Sequence, residues 1–248
     1  MEERPYLLTI AGFDPSAGAG ILADIKTFEI NKVYGQAVAT SLTFQNESSF
    51  EGLDWVSETA ILRQIDVLAS INKFQWIKIG LIQDLDVLDN IVDHLKTLNP
   101  ECQIIWDPIL KASAGFTFHQ EIDREKLKHI ASSLTLITPN MVEIQMLFPE
   151  MAVHDATAEL AKYCHVLLKG GHSEDNADDI LCMTDGKVHK FKGTRLPFDK
   201  HGTGCVFSAA ILTNLAKGYE LPEACREAKD YVTDFIGSHQ SLLGYHYV

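Results

Sequence analysis

Short runs of β-branched and apolar residues alternate along this chain with stretches whose apolar residues recur at three- and four-residue steps, and few folds accept that alternation. Residues 7–10, 37–43, 76–79, 104–106, 134–137 and 166–168 read as strands. They lack the polar every-second position of a half-exposed sheet, so they predict strands buried on both faces. Residues 24–31, 59–71, 86–98, 124–132, 140–147 and 156–163 carry the amphipathic pattern of helices that cover such a sheet. The expected architecture is α/β: three layers, with a mostly parallel central sheet between helices. Past Lys169 the pattern changes. Residues 179–183 and 187–191 flank Thr184-Asp185-Gly186, a hairpin signal, and two helices follow over about 204–217 and 222–238. No repeat, linker or low-complexity tract interrupts residues 1–248, which predicts a single domain.

Charge and motif content exclude several functions. With 21 basic and 34 acidic residues the net charge is −13, and no Lys/Arg block offers a nucleic-acid backbone a basic face. Apolar runs are too short to span a bilayer, and the opening residues show no secretion signal, so no membrane partner and a cytoplasmic location are expected. Five widely spaced cysteines without a C-x-x-C pair suggest neither a disulfide framework nor a zinc site. Asn46-Glu47-Ser48 fits the glycosylation pattern, but without a secretion signal this is a chance match. Walker A, H-E-x-x-H and G-x-S-x-G patterns do not occur.

In parallel sheets ligands bind beyond the carboxyl ends of the strands, so the strand-end loops carry the functional information. Ala11–Gly20 is rich in small residues that let backbone N–H groups approach a ligand, or that simply allow close helix packing. Gly18–Ala23 also satisfies a dinucleotide fingerprint, but an Asp-Pro-Ser insertion separates it from the strand. Gln45, after the second strand, can read a heterocycle edge or anchor its loop. Asp107 ends the fourth strand, as a ligand-facing carboxylate or a turn cap. Glu143 falls in the first turn of a helix starting near Asn140; together with Asp107 it offers a magnesium site beside phosphates, and alone it suits the helix dipole. Lys169-Gly170-Gly171-His172 presents a cation beside two glycines. His201-Gly202-Thr203-Gly204-Cys205 opens an apolar helix, and backbone amides at a helix N-terminus make an anion site. Cys205 sits in that first turn, where a lowered thiol pKa is expected and where it could accept a proton from a substrate hydroxyl; a buried core cysteine is the alternative.

In this order the motifs resemble the hydroxymethylpyrimidine (phosphate) kinases of thiamine biosynthesis, members of the ribokinase-like superfamily. The resemblance runs nearly end to end, over Ala11–Gly20 with Asp24–Phe28, Tyr34–Val38, Gln45-Asn46, Lys78–Gly80, Asp107-Pro108, Thr138–Asn140 with Glu143, Lys169–His172 and His201–Cys205. It implies a ribokinase-like sandwich that uses ATP and Mg2+ to phosphorylate a small hydroxymethylated pyrimidine, and a homodimer. By position it implies substrate contacts at Gly12, Asp24, Gln45, Leu81 and Ile109, nucleotide contacts at Lys169 and Asn140, and metal contacts at Asp107 and Glu143. Gly202, Thr203 and Gly204 then form the anion hole, with Cys205 as the base. Phe13, Ala17, Phe44 and Leu81 stand where relatives usually carry Ser, Gly, Ala and Met, and Phe13 and Phe44 are expected to reshape the pocket. Three other readings remain: a pyridoxine or pyridoxal kinase on the same scaffold, a nicotinamide-dependent oxidoreductase built on Gly18–Ala23, and a vitamer-binding regulator.

Overall fold

The computed structural model describes residues 4–110, 122–170 and 177–246. Its elements run β1 (Tyr6–Phe13), α1 (Gly20–Ile30), β2 (Tyr34–Gln45), β3 (Phe50–Trp55), α2 (Glu58–Ala69), β4 (Trp76–Ile79), α3 (Leu85–Leu98), β5 (Gln103–Trp106), α4 (Arg124–Ala131), β6 (Leu136–Ile137), α5 (Met141–Leu147), α6 (Val153–Leu160), β7 (His165–Leu168), β8 (Asp179–Cys182), β9 (Val188–Phe191), α7 (Thr203–Ala216) and α8 (Leu221–Gly237). The strands form one sheet in the order β3-β2-β1-β4-β5-β6-β7-β8-β9. The stretch from β2 to β7 is parallel, and β3, β8 and β9 are antiparallel additions at the two edges. This is the α/β sandwich the alternation predicts.

Period-two geometry divides the strands between two cores. Leu8, Ile10, Ile77, Ile79, Ile104, Trp106, Ile137, Val166 and Leu168 pack toward α2 to α6. Leu7, Ile105, Leu136 and Leu167 pack toward α1, α7 and α8. α7 is buried almost all round, as a helix apolar on every side must be. Strand order reverses at β1, whose neighbours β2 and β4 lie on opposite sides, and this switch point opens a crevice above the carboxyl ends.

Several boundaries differ from expectation; β1, β2 and α6 each start or end up to three residues from their predicted bounds. β3 was not foreseen: its alternating Phe50-Glu51-Gly52-Leu53-Asp54-Trp55 belongs to an edge strand with only partial burial, so it lacks the continuous apolar signature of the interior. The turn before it is Asn46–Ser49, where Asn46 Oδ1 accepts from the Ser48 and Ser49 amides, an Asx turn that explains the apparent glycosylation triplet. β6 is two residues long, and α1 begins at Gly20, four residues before the predicted start.

On the other edge, Lys229 of α8 donates to Asp179 Oδ2 at 2.6 Å and to the Ala177 carbonyl, while Asp179 Oδ1 accepts from the Gly170 amide at 2.8 Å. This buried pair ties α8 and β8 to the end of β7. Asp179→Ala leaves the Lys229 charge buried without its carboxylate, and we expect a loss of about 3 kcal/mol in unfolding free energy, read as a lower urea midpoint.

Candidate active site

The crevice is lined by side chains that the strands aim toward α7. Thr9 of β1, Lys78 of β4 and Asp107 after β5 share the face that packs on α1 and α7, so their polar ends meet beneath the α7 N-terminus. Lys78 Nζ lies 2.8 Å from Asp24 Oδ2, with neither side chain exposed, and Thr9 Oγ1 donates to the same oxygen at 2.5 Å. Lys169 Nζ, at the end of β7, lies 2.6 Å from Asp107 Oδ1, which also accepts from Thr138 Oγ1 at 3.0 Å; Glu143 Oε2 is 3.8 Å from the same ammonium. Ser208 Oγ of α7 approaches Asp107 Oδ2 at 3.4 Å. Five ionisable groups thus alternate in sign along the carboxyl edge: Asp24, Lys78, Asp107, Lys169 and Glu143.

Their charges follow from burial set against pairing. Burial opposes the Lys78 ammonium, but Asp24 first, and then Cys205 and Asp107, hold it above its ordinary value; at Asp24 burial wins and the carboxyl stays above the usual range. Burial likewise pushes Asp107 up, yet Lys169 and Lys78 more than offset it, so Asp107 is held low while Lys169 is held high. Glu143 is raised to about 7 by burial, with Asp107 adding to it against the pull of Lys169.

Glu143 also has a local task. Its Oε2 accepts from the Asn140 amide at 2.7 Å while Asn140 Oδ1 accepts from the Glu143 amide at 2.9 Å, a capping box that opens α5. The helix-terminus reading therefore holds for this residue, and the same carboxylate oxygen also lies 3.8 Å from Lys169 Nζ. Asn140 is bridged to Lys169 in parallel pairing, which places it at the same edge.

At the start of α7, Gly202 has φ +78°, and a Cβ there would lie 1.9 Å from the Gly18 carbonyl oxygen, so only glycine lets the two loops touch. A Cβ on Gly204 would lie 3.3 Å from Lys169 Nζ and 3.5 Å from Asp107 Oδ2, which puts the first turn of α7 directly over the ion pair. The first turn of α7 and the lysine are thus brought together where the sequence led us to expect an anion site.

Cys205 corrects an expectation. Its thiol is raised to about 11 rather than lowered: burial dominates, Asp24 and Asp107 add to it, and Lys78 with the Gly20 amide offset only part. At 5% exposure, desolvation outweighs the helix dipole.

The remaining predicted residues are split between this cluster and its rim. Gly12 sits at the register shift of β1, against Leu81 and Ser41. Ile109 is half-buried two residues past Asp107, to whose carbonyl its amide donates. Gln45 lies apart, beyond the part of β2 that β1 covers, on the rim of an open cavity of about 480 Å³ lined also by Phe13, Leu42, Phe44 and Glu51. Gly171 and His172 fall outside the described residues. Sequence reasoning passed over the charge of Lys78, visible only as a lysine inside an otherwise apolar strand, and over Thr138 and Ser208.

The sheet around this helix start is that of the ribokinase-like kinases. The phosphomethylpyrimidine kinase of Clostridium difficile superimposes with a TM-score of 0.77 at 30% identity, over 93% of this chain and 99% of that one. An ADP complex of Bacillus subtilis pyridoxal kinase does so with a TM-score of 0.77 at 29% identity, over 94% of this chain and 92% of that one. The hydroxymethylpyrimidine/phosphomethylpyrimidine kinase of Aquifex aeolicus is 33% identical over 95% of each chain. The chain belongs to the phosphomethylpyrimidine kinase family, whose sequence model matches residues 14–247, and it is a phosphotransferase. That membership decides against the oxidoreductase reading of Gly18–Ala23.

Glu143 generates a pH prediction. Its carboxyl is raised above its unfolded value of 4.5, so the folded protein binds more protons than the unfolded chain between about pH 4.5 and 7, and stability falls as pH rises through that window. Glu143→Gln keeps the capping acceptor and removes the titration. The variant's unfolding free energy should gain on the parent's by on the order of 2 kcal/mol between pH 4.5 and 8 in urea titrations. A constant difference across that range would contradict the buried, raised carboxyl.

Proposed function

We propose that this chain transfers the γ-phosphoryl group of ATP, with Mg2+, to the hydroxymethyl group of 4-amino-5-hydroxymethyl-2-methylpyrimidine, and to the phosphate of its monophosphate, in thiamine biosynthesis. The observation that carries the reading is the α7 N-terminus lying over the Lys169–Asp107 pair, in a chain that matches the family over residues 14–247. A cytoplasmic homodimer belongs to the same reading, and no helix among the described residues is long and apolar enough to cross a membrane.

In this reading the amides of Gly202, Thr203, Gly204 and Cys205 meet the oxygens of the phosphoryl group in transit, stabilising charge as it develops. Lys169, already held charged, meets the nucleotide phosphates, with Asn140 beside it. Asp107 and Glu143 are hard oxygen donors on adjacent loops and fit a magnesium ion bound mainly through phosphate oxygens and water. When bound, that ion supplies charge neutralisation between the phosphates. Asp24 Oδ1 is buried without a hydrogen-bond partner, an acceptor suited to the ring amino group. Gly12, Leu81 and Ile109 wall the ring, and Gln45 reads its edge from the rim. Cys205 rests as a neutral thiol, so its part as proton acceptor is confined to alkaline conditions, and positioning carries most of the rate.

ADP release with ATP and magnesium, measured in parallel on the pyrimidine, its monophosphate, pyridoxine and pyridoxal, tests the assignment. Turnover on the two pyrimidines is expected. Turnover on the pyridine vitamers alone would move the chain to vitamin B6 chemistry, with Phe13 and Phe44 as the residues to exchange. If Cys205 takes the proton, kcat keeps rising toward pH 10 and Cys205→Ala both lowers kcat and removes that rise; an unchanged kcat would remove it from the role. Asp107→Asn is expected to raise the magnesium concentration for half-maximal rate by about tenfold, the scale of one lost charged ligand, and an unaltered titration would exclude the metal contact.

A further inference from the structure

Between the loop that follows β1 and the loop that opens α7 lies a largely buried contact to which the functional reading above gives no part. Asp14 is 1% exposed, and its carboxylate gathers its own loop: Oδ1 accepts from the Ser16 amide at 2.9 Å and its hydroxyl at 2.8 Å, and Oδ2 from the Ala19 amide at 2.8 Å. The same Oδ2 lies 2.9 Å from His201 Nε2, on the residue just before the anion loop. The His201 ring packs on Gly18, where a Cβ would lie 2.6 Å from its Cδ2, and its amide donates to the Leu242 carbonyl at 2.8 Å. Leu243, the next residue, presses on Gly18 from the same side. His201 is thus held at ring and backbone, and Gly202, next in the chain, rests on the Gly18 carbonyl.

We propose that His201 and Asp14 are positioning residues: the pair fixes the anion loop of α7 against the loop after β1, and so sets the distance between the substrate's hydroxyl oxygen and the phosphoryl group. The inference rests on the functional reading above, because it assigns one loop to the acceptor and the other to the phosphoryl group. Asp24, which that reading gives to the ring, follows the first loop on α1; Gly202–Cys205 belong to the second. The Gly20 amide, at the end of the first loop, also hydrogen-bonds the Cys205 thiol, so a shift between the loops must move both. A misplacement of about 1 Å between reactants can cost on the order of 100-fold in rate, with little change in the binding of either alone.

The test compares His201→Leu, which keeps bulk and loses the donor, with His201→Gln, whose amide nitrogen reaches the place of Nε2. In ADP-release assays His201→Leu should lower kcat by about 10- to 100-fold while both KM values stay within about threefold, and His201→Gln should recover kcat to within about fivefold of the parent. A second readout needs no turnover. Alkylation of Cys205, followed by peptide mass mapping, should be at least fivefold faster in His201→Leu than in the parent or His201→Gln, because the loop that buries the thiol is released. A parent that turns over none of the offered alcohols would defeat the functional reading; the alkylation rates then decide this inference alone. A His201→Leu kcat within twofold of the parent, a His201→Gln variant as impaired as His201→Leu, or, in an inactive parent, equal alkylation rates would each overturn it. Should His201→Leu fail to fold, His201→Asn, whose amide is too short to reach Asp14, replaces it with the same expectations.

Discussion

Four ionisable groups, Asp24, Lys78, Asp107 and Glu143, are buried in one place with Lys169 beside them, and the rest of the molecule is arranged around the cost of keeping them there. Removing a carboxylate or an ammonium from water costs several kcal/mol even after relaxation, so each must face an opposite charge or a complementary hydrogen-bond partner. Asp24 finds Lys78 and Thr9; Asp107 finds Lys169 and Thr138. Those partners come from α1, β1, β4 and the ends of β5, β6 and β7, elements far apart in the chain. Satisfying the charges therefore fixes where the strand ends stand relative to one another. Such pairs are weak contributors to net stability compared with apolar packing, but here they specify one arrangement of the sheet edge, and they leave it polarised before any ligand arrives.

That polarisation has a direction. Lys169 is charged because Asp107 is, and the two lie 2.6 Å apart. An incoming phosphate competes with Asp107 for the lysine, and a cation brought with it competes with the lysine for Asp107. Either exchange alone strands a buried charge; the two together strand none. Glu143, raised to about 7, adds a carboxyl that can be neutral in the empty site and charged once positive charge is added nearby. In the proposed function the site is in this way better matched to a metal–polyphosphate than to either component.

The layered architecture was legible because strands such as 76–79 and 104–106 must be apolar on both faces. β3 was not, because an edge strand with Glu51 and Asp54 turned outward imitates a loop. Lys78 hid for the opposite reason: a lysine inside a buried strand breaks the pattern, and only the fold shows that Asp24, 54 residues earlier, waits for it. The start of α7 was readable from Gly202, Thr203 and Gly204, since a glycine at a helix start has a mechanical purpose that survives without coordinates. The thiol of Cys205 was misread because sequence displays the helix N-terminus and conceals the depth of burial, and burial is the larger effect here.

The same contrast separates reaction type from substrate choice. The groups that the proposed function gives to the phosphoryl group are locked into the sheet by mutual charge, so a change at Asp107 or Lys169 disturbs its neighbours at once. Gln45, Phe13 and Phe44 stand outside that lock, on β1 and the β2–β3 ribbon beside an open cavity, and Phe44 is half exposed. Substitution there alters the shape offered to a ring without stranding a buried charge. Phosphomethylpyrimidine and pyridoxal kinases both stand among the structures that share this fold. The bulky Phe13 and Phe44 lie where a substitution disturbs the buried charges least.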